Sequence, residues 1–133
     1  MEIEITANIA FMNSSTYIPL AQHTSSTAAA SELCKLEHGI IGISTEAGEL
    51  LDIVKKNKFY DKPVDWVNVK EEIGDILWYC AEICAIHKWT FEEIMEQNIR
   101  KLKARYPDRF TNANALNRNL DKERSMLEKG NNE

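Results

Sequence analysis

The sequence is poor in residues that cross-link, bend or interrupt a chain. Among 133 residues there are three cysteines, three prolines and five glycines. An odd number of cysteines argues against a disulfide framework and for a reducing compartment. Internal repeats, low-complexity tracts and linkers rich in glycine or proline are also missing from the sequence, so we expect one globular domain.

Long hydrophobic runs and an excess of basic residues are missing as well. No uncharged apolar segment approaches the roughly 20 residues of a membrane-spanning helix, and the first residues, with Glu2 and Glu4, do not resemble a secretory signal. The net charge of −5 argues against a protein that coats nucleic acid, which needs a basic surface. We therefore expect a cytoplasmic protein with neither a membrane nor a nucleic acid polymer as its partner.

What the sequence does contain is mainly helical periodicity. Residues 1–16 are predicted to form an extended or irregular arm, and a short first helix is predicted from Thr16, with Pro19 in its first turn. A second helix is predicted over residues 31–56, and a loop of residues 57–65 then returns the chain antiparallel. The apolar residues of the second helix recur at helical spacing: Leu33, Leu36, Ile40, Ala47, Leu50, Leu51 and Val54.

Capping signals predict two further helices. Asp65 is a suitable N-cap for a third helix that continues to about Lys88. Thr90, with an acid three residues later, has the spacing of a capping box and opens a fourth helix, which Pro107 ends. Residues 111–133 are a polar extension, either a short docked helix or disordered. The expected fold is all-α and resembles a four-helix bundle.

Three glycines lie inside the second predicted helix, Gly39, Gly42 and Gly48. Glycine in a helix interior costs about 1 kcal/mol relative to alanine. We therefore expect another helix or a ligand to approach closely at these positions.

Two pairs of acids stand inside apolar helical pattern. Glu46 and Glu49 are three residues apart, as are Glu72 and Asp75, so each pair lies on one helix face. Similar lengths of helix on the two sides of the predicted loop bring the pairs to one level. Four close carboxylates repel one another unless a cation balances them, and oxygen ligands suit Mg²⁺ or Mn²⁺.

Two other interpretations of the acids compete with this metal site, and the third helix carries a second possible cluster. A di-iron carboxylate bundle draws histidine from Glu-x-x-His, but none of the three histidines follows an acid at that spacing. The acids are alternatively a solvated surface, which the spacing alone leaves open. Cys80, Cys84 and His87 share one face of the third helix, either as a second metal cluster or as core, and the helical pattern favours core.

An ordered set of motifs resembles one family. The set consists of Glu46-x-x-Glu49, then Glu72-x-x-Asp75 followed by Ile76-Leu77-Trp78-Tyr79, then Asn98-x-x-Lys101-Leu102-x-x-Arg105-Tyr106-Pro107. Over about residues 17–110 the chain is similar to the MazG-like all-α nucleoside triphosphate pyrophosphohydrolases, and in length to small phage-encoded members. Thr45 departs from the usual double acid of the first motif, which leaves the two expected ligands in place.

The resemblance implies Mg²⁺-dependent attack of water between the α- and β-phosphates of a nucleoside triphosphate, giving the monophosphate and pyrophosphate. Glu46, Glu49, Glu72 and Asp75 would hold Mg²⁺, with Mn²⁺ as a substitute and more than one ion per site. Glu49 or Glu46 would also act as the catalytic base. The location would be the cytoplasm, that of the host if the protein is phage-encoded.

Further residues are candidates for contacts with the substrate. Cationic or polar groups that could hold the phosphates or sugar are Lys56, Tyr79, Asn98, Lys101 and Arg105. The resemblance implies a nucleobase pocket near the first helix, with Asn13, Gln22 and His23 as candidates. Trp66 and Trp78 either stack on the base or belong to the core, and their spacing favours core.

The same resemblance leads to expectations about specificity and assembly. The preferred substrate is predicted to be a purine deoxynucleotide, with dGTP as the best single candidate, in a role that shapes a phage deoxynucleotide pool. A broad housekeeping pyrophosphatase and a non-catalytic helical interaction module are the alternatives. A bundle of this size leaves apolar faces uncovered, so a homodimer or tetramer is expected, with the active site near the interface.

Overall fold

A computed structural model of the chain describes residues 11–129, and these residues form α-helices and no β-strand. The predicted all-α class is confirmed. The predicted arm lies mostly outside the described residues. The helices are α1 Ser14–His23, α2 Glu32–Tyr60, α3 Trp66–His87, α4 Phe91–Arg105, α5 Asn112–Leu116 and α6 Leu120–Glu128.

The chain divides into two compact units. The first ends at Trp89 and contains α1 to α3; the second begins at Thr90 and contains α4 to α6. In the first unit α3 packs against both α1 and α2, and in the second α4 packs against α6. None of the described helices is long and apolar enough to cross a membrane.

Helix α1 begins at Ser14, two residues before the predicted start. The reason is Asn13, whose side-chain oxygen accepts hydrogen bonds from the Thr16 N–H at 3.2 Å and the Ser15 hydroxyl at 2.6 Å. Pro19 therefore lies inside the helix, beyond its first turn, and the prediction that placed it in the first turn is wrong.

Helix α2 continues four residues beyond its predicted end at Lys56. Its C-cap is Asp61, a residue in the left-handed conformation with φ 51°, and the Lys62 N–H donates to the Lys56 carbonyl at 3.2 Å. The Asn57 side chain donates to the Lys62 carbonyl at 2.7 Å. The first bond satisfies a carbonyl of the last helical turn, and the second ties the loop to the helix. The predicted loop is thereby reduced to residues 61–65.

Helices α2 and α3 form the predicted antiparallel hairpin. Asp65 caps α3 as predicted, accepting from the N–H groups of Val67 and Asn68 at 3.1 Å each. A Cβ at Gly39 would clash with Ile83, and one at Gly42 would overlap the Tyr79 ring. The close approach predicted for those two glycines is confirmed. At Gly48 a Cβ would meet nothing within 4 Å, so there the predicted helix contact is wrong.

The face that α2 buries differs from its apolar stripe. Its buried residues are Gly39, Gly42 and Ile53, whereas Leu51 and Val54 are more than half exposed. The apolar stripe thus predicted that this segment is a helix. It did not predict the side that packs against α3, because the small residues Gly39 and Gly42 determine that side. Trp66, expected in the core, is 72% exposed at the start of α3, and that expectation is wrong.

Gly42→Ala is expected to destabilise the first unit, because the new methyl group would overlap the Tyr79 ring. Overpacking of this kind costs typically about 1–3 kcal/mol. Gly48→Ala on the same helix is the matched control, and it is expected to stabilise by up to about 1 kcal/mol because its Cβ enters open space. Urea unfolding of both variants measures the difference, and equal midpoints would contradict the described α2–α3 contact.

The second unit is organised around a buried ion pair. Thr90 caps α4 as predicted, accepting from the Glu93 N–H at 3.1 Å. Glu123 of α6 is buried and binds Arg105 through two hydrogen bonds of 2.7 and 2.9 Å. Arg118 adds two more, of 3.3 and 2.6 Å. Of the two alternatives for the extension, the docked helix is therefore found for α6.

Glu123→Gln is expected to lower the stability of this unit more at pH 7 than at pH 3. The hydrogen bonds and charges of Arg105 and Arg118 hold the pKa of Glu123 far below its usual value. The stabilisation from this carboxylate is complete above the unfolded-state pKa near 4.5 and declines as pH falls below it. Circular-dichroism melts measure the effect. Glu128→Gln is the control, since its pair with Arg124 is exposed, and an equal effect from both variants would contradict the prediction.

Candidate metal and nucleotide site

Three carboxylates from the two acid motifs converge across the α2–α3 hairpin. One oxygen each from Glu46 on α2 and from Glu72 and Asp75 on α3 lie within 4.8 Å of one another. The hairpin register explains this, because Gly42 faces Tyr79. One turn closer to the connecting loop on each antiparallel helix, Glu46 is level with Asp75. The structure thus brings together three of the four predicted carboxylates.

The electrostatics of this group favour a positive partner. A hydrogen bond with Glu46, burial, and the charges of Glu46, Glu49 and Asp75 together raise the pKa of Glu72. Burial, followed by the charge of Asp75, likewise raises the pKa of Tyr17 on α1. A cation stabilises the ionised form of a carboxylate such as Glu72 whose pKa is raised, and an all-oxygen set suits a hard divalent ion. The donors present therefore fit Mg²⁺ or Mn²⁺.

Glu49 lies outside this three-carboxylate group. It is exposed, one turn beyond Glu46 on α2, and its negative charge still contributes to the raised pKa of Glu72. Its carboxylate is therefore near the group without sharing the close oxygen contacts of the other three.

A cleft of about 370 Å³ lies beside the acids, lined by Thr24, Glu46, Asp75, Trp78 and Tyr79. The Trp78 indole N–H donates to the Thr24 hydroxyl at 2.8 Å, and the Trp78 and Tyr79 rings meet edge to face with centroids 5.0 Å apart. Tyr79 was predicted at the site. Thr24 was missed, and Trp78, which the helical pattern placed in the core, forms part of the wall.

A second, more apolar pocket of about 280 Å³ adjoins the cleft, and the two share Thr24 and Trp78. His23, a predicted base contact, is in its lining. The buried Nε2 of Gln22 has no hydrogen-bond partner among the described residues. Asn13 uses its side-chain oxygen to cap α1. The complete lining is Met12, Tyr17, Leu20, Ala21, His23, Thr24 and Trp78.

Residues 36–110 match the family model of the MazG nucleotide pyrophosphohydrolase domain. The chain belongs to the MazG family. The match includes both acid motifs and the Asn98 to Arg105 motif of α4, so the predicted family is confirmed. Comparisons with curated proteins and with solved structures found no match.

Membership of the MazG family supports nucleotide pyrophosphohydrolase activity in general. The family generally depends on divalent metal ions, and the acidic group of Glu46, Glu72 and Asp75 is the place in this MazG domain with suitable donors. Among the described residues this is the single cluster of three or more candidate metal-binding side chains. Cys80, Cys84 and His87 do not form another.

The candidate cluster of Cys80, Cys84 and His87 on α3 belongs mainly to the core. Cys84 is buried and Cys80 is half-buried, and burial raises the pKa of the Cys80 thiol. His87 is exposed and packs beside Trp89, with ring centroids 5.2 Å apart. The core interpretation therefore holds for the two cysteines and is wrong for His87.

The predicted phosphate and sugar contacts on α2 and α4 belong to different units of the chain. Lys56 is exposed, about 15 Å along α2 from Glu46 by helix rise, and pairs with Asp52 at 2.6 Å. Asn98, Lys101 and Arg105 lie on α4 in the second unit, and Arg105 is bound by the Glu123 carboxylate. The substrate roles of these four residues stay predictions.

Proposed function

We propose that this MazG protein hydrolyses nucleoside triphosphates, deoxynucleotides foremost, to the monophosphate and pyrophosphate with Mg²⁺ or Mn²⁺. The observation that carries the proposal is the convergence of Glu46, Glu72 and Asp75 beside a cleft, within the segment that matches the MazG domain. The polyphosphate would lie in that cleft, because its negative charge needs the cation that the acids also need.

The carboxylates are assigned different tasks. Glu46, Glu72 and Asp75 would hold the divalent ions, more than one per site, with Glu49 completing the set at its edge. Bound cations would neutralise the polyphosphate and make a water molecule easier to deprotonate. Glu49 is our first candidate for the base that accepts the proton, because it is exposed and outside the close group, and Glu46 is the second.

The remaining phosphate charge requires groups with donors. Tyr79 is already in the cleft wall, and its phenol is our first candidate for a phosphate or sugar contact. Lys56, Asn98, Lys101 and Arg105 are proposed as further contacts from the family motifs. For Arg105 this role requires the side chain to keep a donor free of Glu123, which accepts from its Nε and one Nη.

The apolar pocket that adjoins the cleft is our candidate for the nucleobase. Its aromatic wall, Trp78 with Tyr17, suits a flat ring. Gln22 has an unpartnered amide nitrogen, and Asn13 keeps its amide nitrogen because only its oxygen caps α1. His23 lines this pocket, whereas Asn13 and Gln22 are not in its lining. We propose that these three side chains supply donors to the acceptors of a guanine edge, so dGTP is the proposed preferred substrate.

The expected result of a substrate panel is that dGTP has the highest kcat/KM among the four deoxynucleotides, their ribonucleotide counterparts and dUTP at fixed Mg²⁺. This preference would support a role in shaping a phage deoxynucleotide pool. A pyrimidine ranked first by more than tenfold, about 1.4 kcal/mol of transition-state discrimination, would exclude the guanine assignment. A flat profile would favour the housekeeping role instead.

A homodimer or tetramer is proposed as the working assembly. Large apolar side chains on α2 and α3, including Leu51, Val54 and Val67, are more than half exposed. A second copy of the chain would bury such faces. Sedimentation analysis tests the assembly, and a monomer throughout the assay concentration range would exclude it.

Metal dependence gives the direct test of the proposed function. Purified protein incubated with dGTP and Mg²⁺ is expected to release pyrophosphate, with Mn²⁺ replacing Mg²⁺ and a chelator abolishing the reaction. Calorimetry with Mn²⁺ covers the non-catalytic alternative. Neither pyrophosphate release nor heat of Mn²⁺ binding would favour a helical interaction module in which the acids are surface groups.

A further inference from the structure

A buried carboxylate outside both acid motifs connects three parts of the first unit. Glu82 on α3 is fully buried, with 0% of its surface exposed. Its Oε1 accepts hydrogen bonds from the hydroxyls of Ser25, at 2.5 Å, and Thr27. Its Oε2 lies 2.5 Å from Nδ1 of His38 on α2. One side chain thus joins α3, α2 and the segment between α1 and α2.

The partners of Glu82 lead directly to the cleft. The His38 ring meets the Tyr79 ring edge to face at 5.5 Å between centroids and the Trp78 ring at 6.3 Å. The segment that carries Ser25 also carries Thr24, which accepts from the Trp78 indole. Both aromatic residues of the cleft wall therefore contact His38, which is bound to Glu82, and Trp78 also bonds the segment that carries Ser25.

The chemistry of this cluster indicates a fixed arrangement. Burial alone would favour the neutral acid, but hydrogen bonds from Ser25, Thr27 and His38 outweigh it and lower the pKa of Glu82. A buried carboxylate that loses a donor is strongly destabilised, so the donors and the carboxylate hold one another in place. Glu82 lies two turns beyond Asp75, too far along α3 to join the acidic group.

We propose that Glu82 is a positioning residue for nucleotide binding, which fixes Trp78, Tyr79 and Thr24 as the preformed wall of the cleft through His38 and the segment of residues 24–27. The inference rests on the proposed function for its consequence in KM. The fluorescence of Trp78 measures the placement of the wall independently of enzymatic activity.

The first experiment measures the placement of the cleft wall and needs no enzymatic reaction. Trp66→Phe and Trp89→Phe together leave Trp78 as the single tryptophan of the chain. In that background Ser25→Ala and Glu82→Gln are expected to shift the Trp78 emission to longer wavelength and increase its quenching by iodide. Ser44→Ala is the matched control, because its hydroxyl bonds only the Ile40 carbonyl of its own helix. Unchanged emission in folded Ser25→Ala would overturn the proposal.

The second experiment measures how a change in the cleft wall affects nucleotide binding. Ser25→Ala and Thr27→Val are expected to raise KM for the best nucleotide about tenfold while kcat stays within about twofold, since binding and not the reacting centre is altered. Calorimetric Mn²⁺ affinity without nucleotide should not change. These two variants keep the test valid if Glu82→Gln does not fold.

The outcomes separate the two proposals. A wild-type protein that releases no pyrophosphate overturns the proposed function, and the emission of Trp78 still decides whether Glu82 fixes the wall. An active wild type whose Ser25→Ala and Thr27→Val variants keep the wild-type KM overturns the positioning role. An equal rise of KM in Ser44→Ala would also overturn it, because the effect would then be unspecific.

Discussion

Asp75→Asn is expected to lower kcat/KM for pyrophosphate release by about a thousandfold, equivalent to about 4 kcal/mol of transition-state stabilisation. Asp75 contributes one of the three carboxylate oxygens that lie within 4.8 Å of one another. An amide keeps the size of the side chain but removes its negative charge, so the remaining acids bind a divalent ion more weakly.

The same substitution is expected to leave the metal-free protein as stable as the wild type or more stable. The charge of Asp75 is among the causes that raise the pKa of Glu72, so its removal relieves repulsion. Added Mg²⁺ should raise the melting temperature of the wild type, because the ion binds the folded state, and should raise that of the variant much less.

Glu71→Gln provides the control for Asp75→Asn. Glu71 is an exposed acid of α3 outside the three-carboxylate group, and its loss changes the net charge by the same amount. Wild-type activity is expected for this variant. Comparable activity losses in both variants, or a large stability loss in metal-free Asp75→Asn, would contradict the assignment of the acidic group.

Glu49→Gln is expected to lower kcat by about a hundredfold to ten-thousandfold, the usual contribution of a general base. Mn²⁺ affinity should fall less than in Asp75→Asn, because Glu49 lies outside the close group. Parallel kinetics and calorimetry on the two variants measure this difference. Glu37→Gln, an exposed acid on the same helix, is the control and should match the wild type.

A different pattern would reassign the base. If Glu49→Gln reduces Mn²⁺ affinity as strongly as Asp75→Asn does, Glu49 is a metal ligand, and the proton must go to another group. Glu46→Gln then becomes the informative variant. If Glu49→Gln keeps full activity, Glu49 is neither the catalytic base nor a metal ligand.

Local signals in the sequence predicted most of the helical architecture. Asp65 and Thr90 mark helix starts because their side chains accept from free N–H groups in the first turn. Gly39 and Gly42 marked the contact with α3 because only a missing Cβ lets the helices approach so closely. The extension of α2 to Tyr60 was missed because it depends on Asp61 adopting a left-handed conformation, which asparagine and glycine signal more clearly.

The parts of the site that depend on regular spacing were predictable, and those that depend on tertiary contacts were not. Acids three apart on two hairpin helices share a face, which brings Glu46 to Glu72 and Asp75, but the same spacing also predicted Glu49, which lies outside the close group. Glu82 has no partner nearby in sequence, since its hydrogen bonds come from residues 44 to 57 positions away. Its place on α3, three residues after Tyr79, was the one signal that could have connected it to the cleft.

The products formed from dGTP and Mg²⁺ test the central claim most directly, and phosphorus-31 NMR of the reaction mixture identifies them without a coupling enzyme. We expect dGMP and pyrophosphate in equal amounts, formed by the wild type and absent with Asp75→Asn. Orthophosphate together with dGDP would contradict it, because cleavage would then occur at the terminal phosphate.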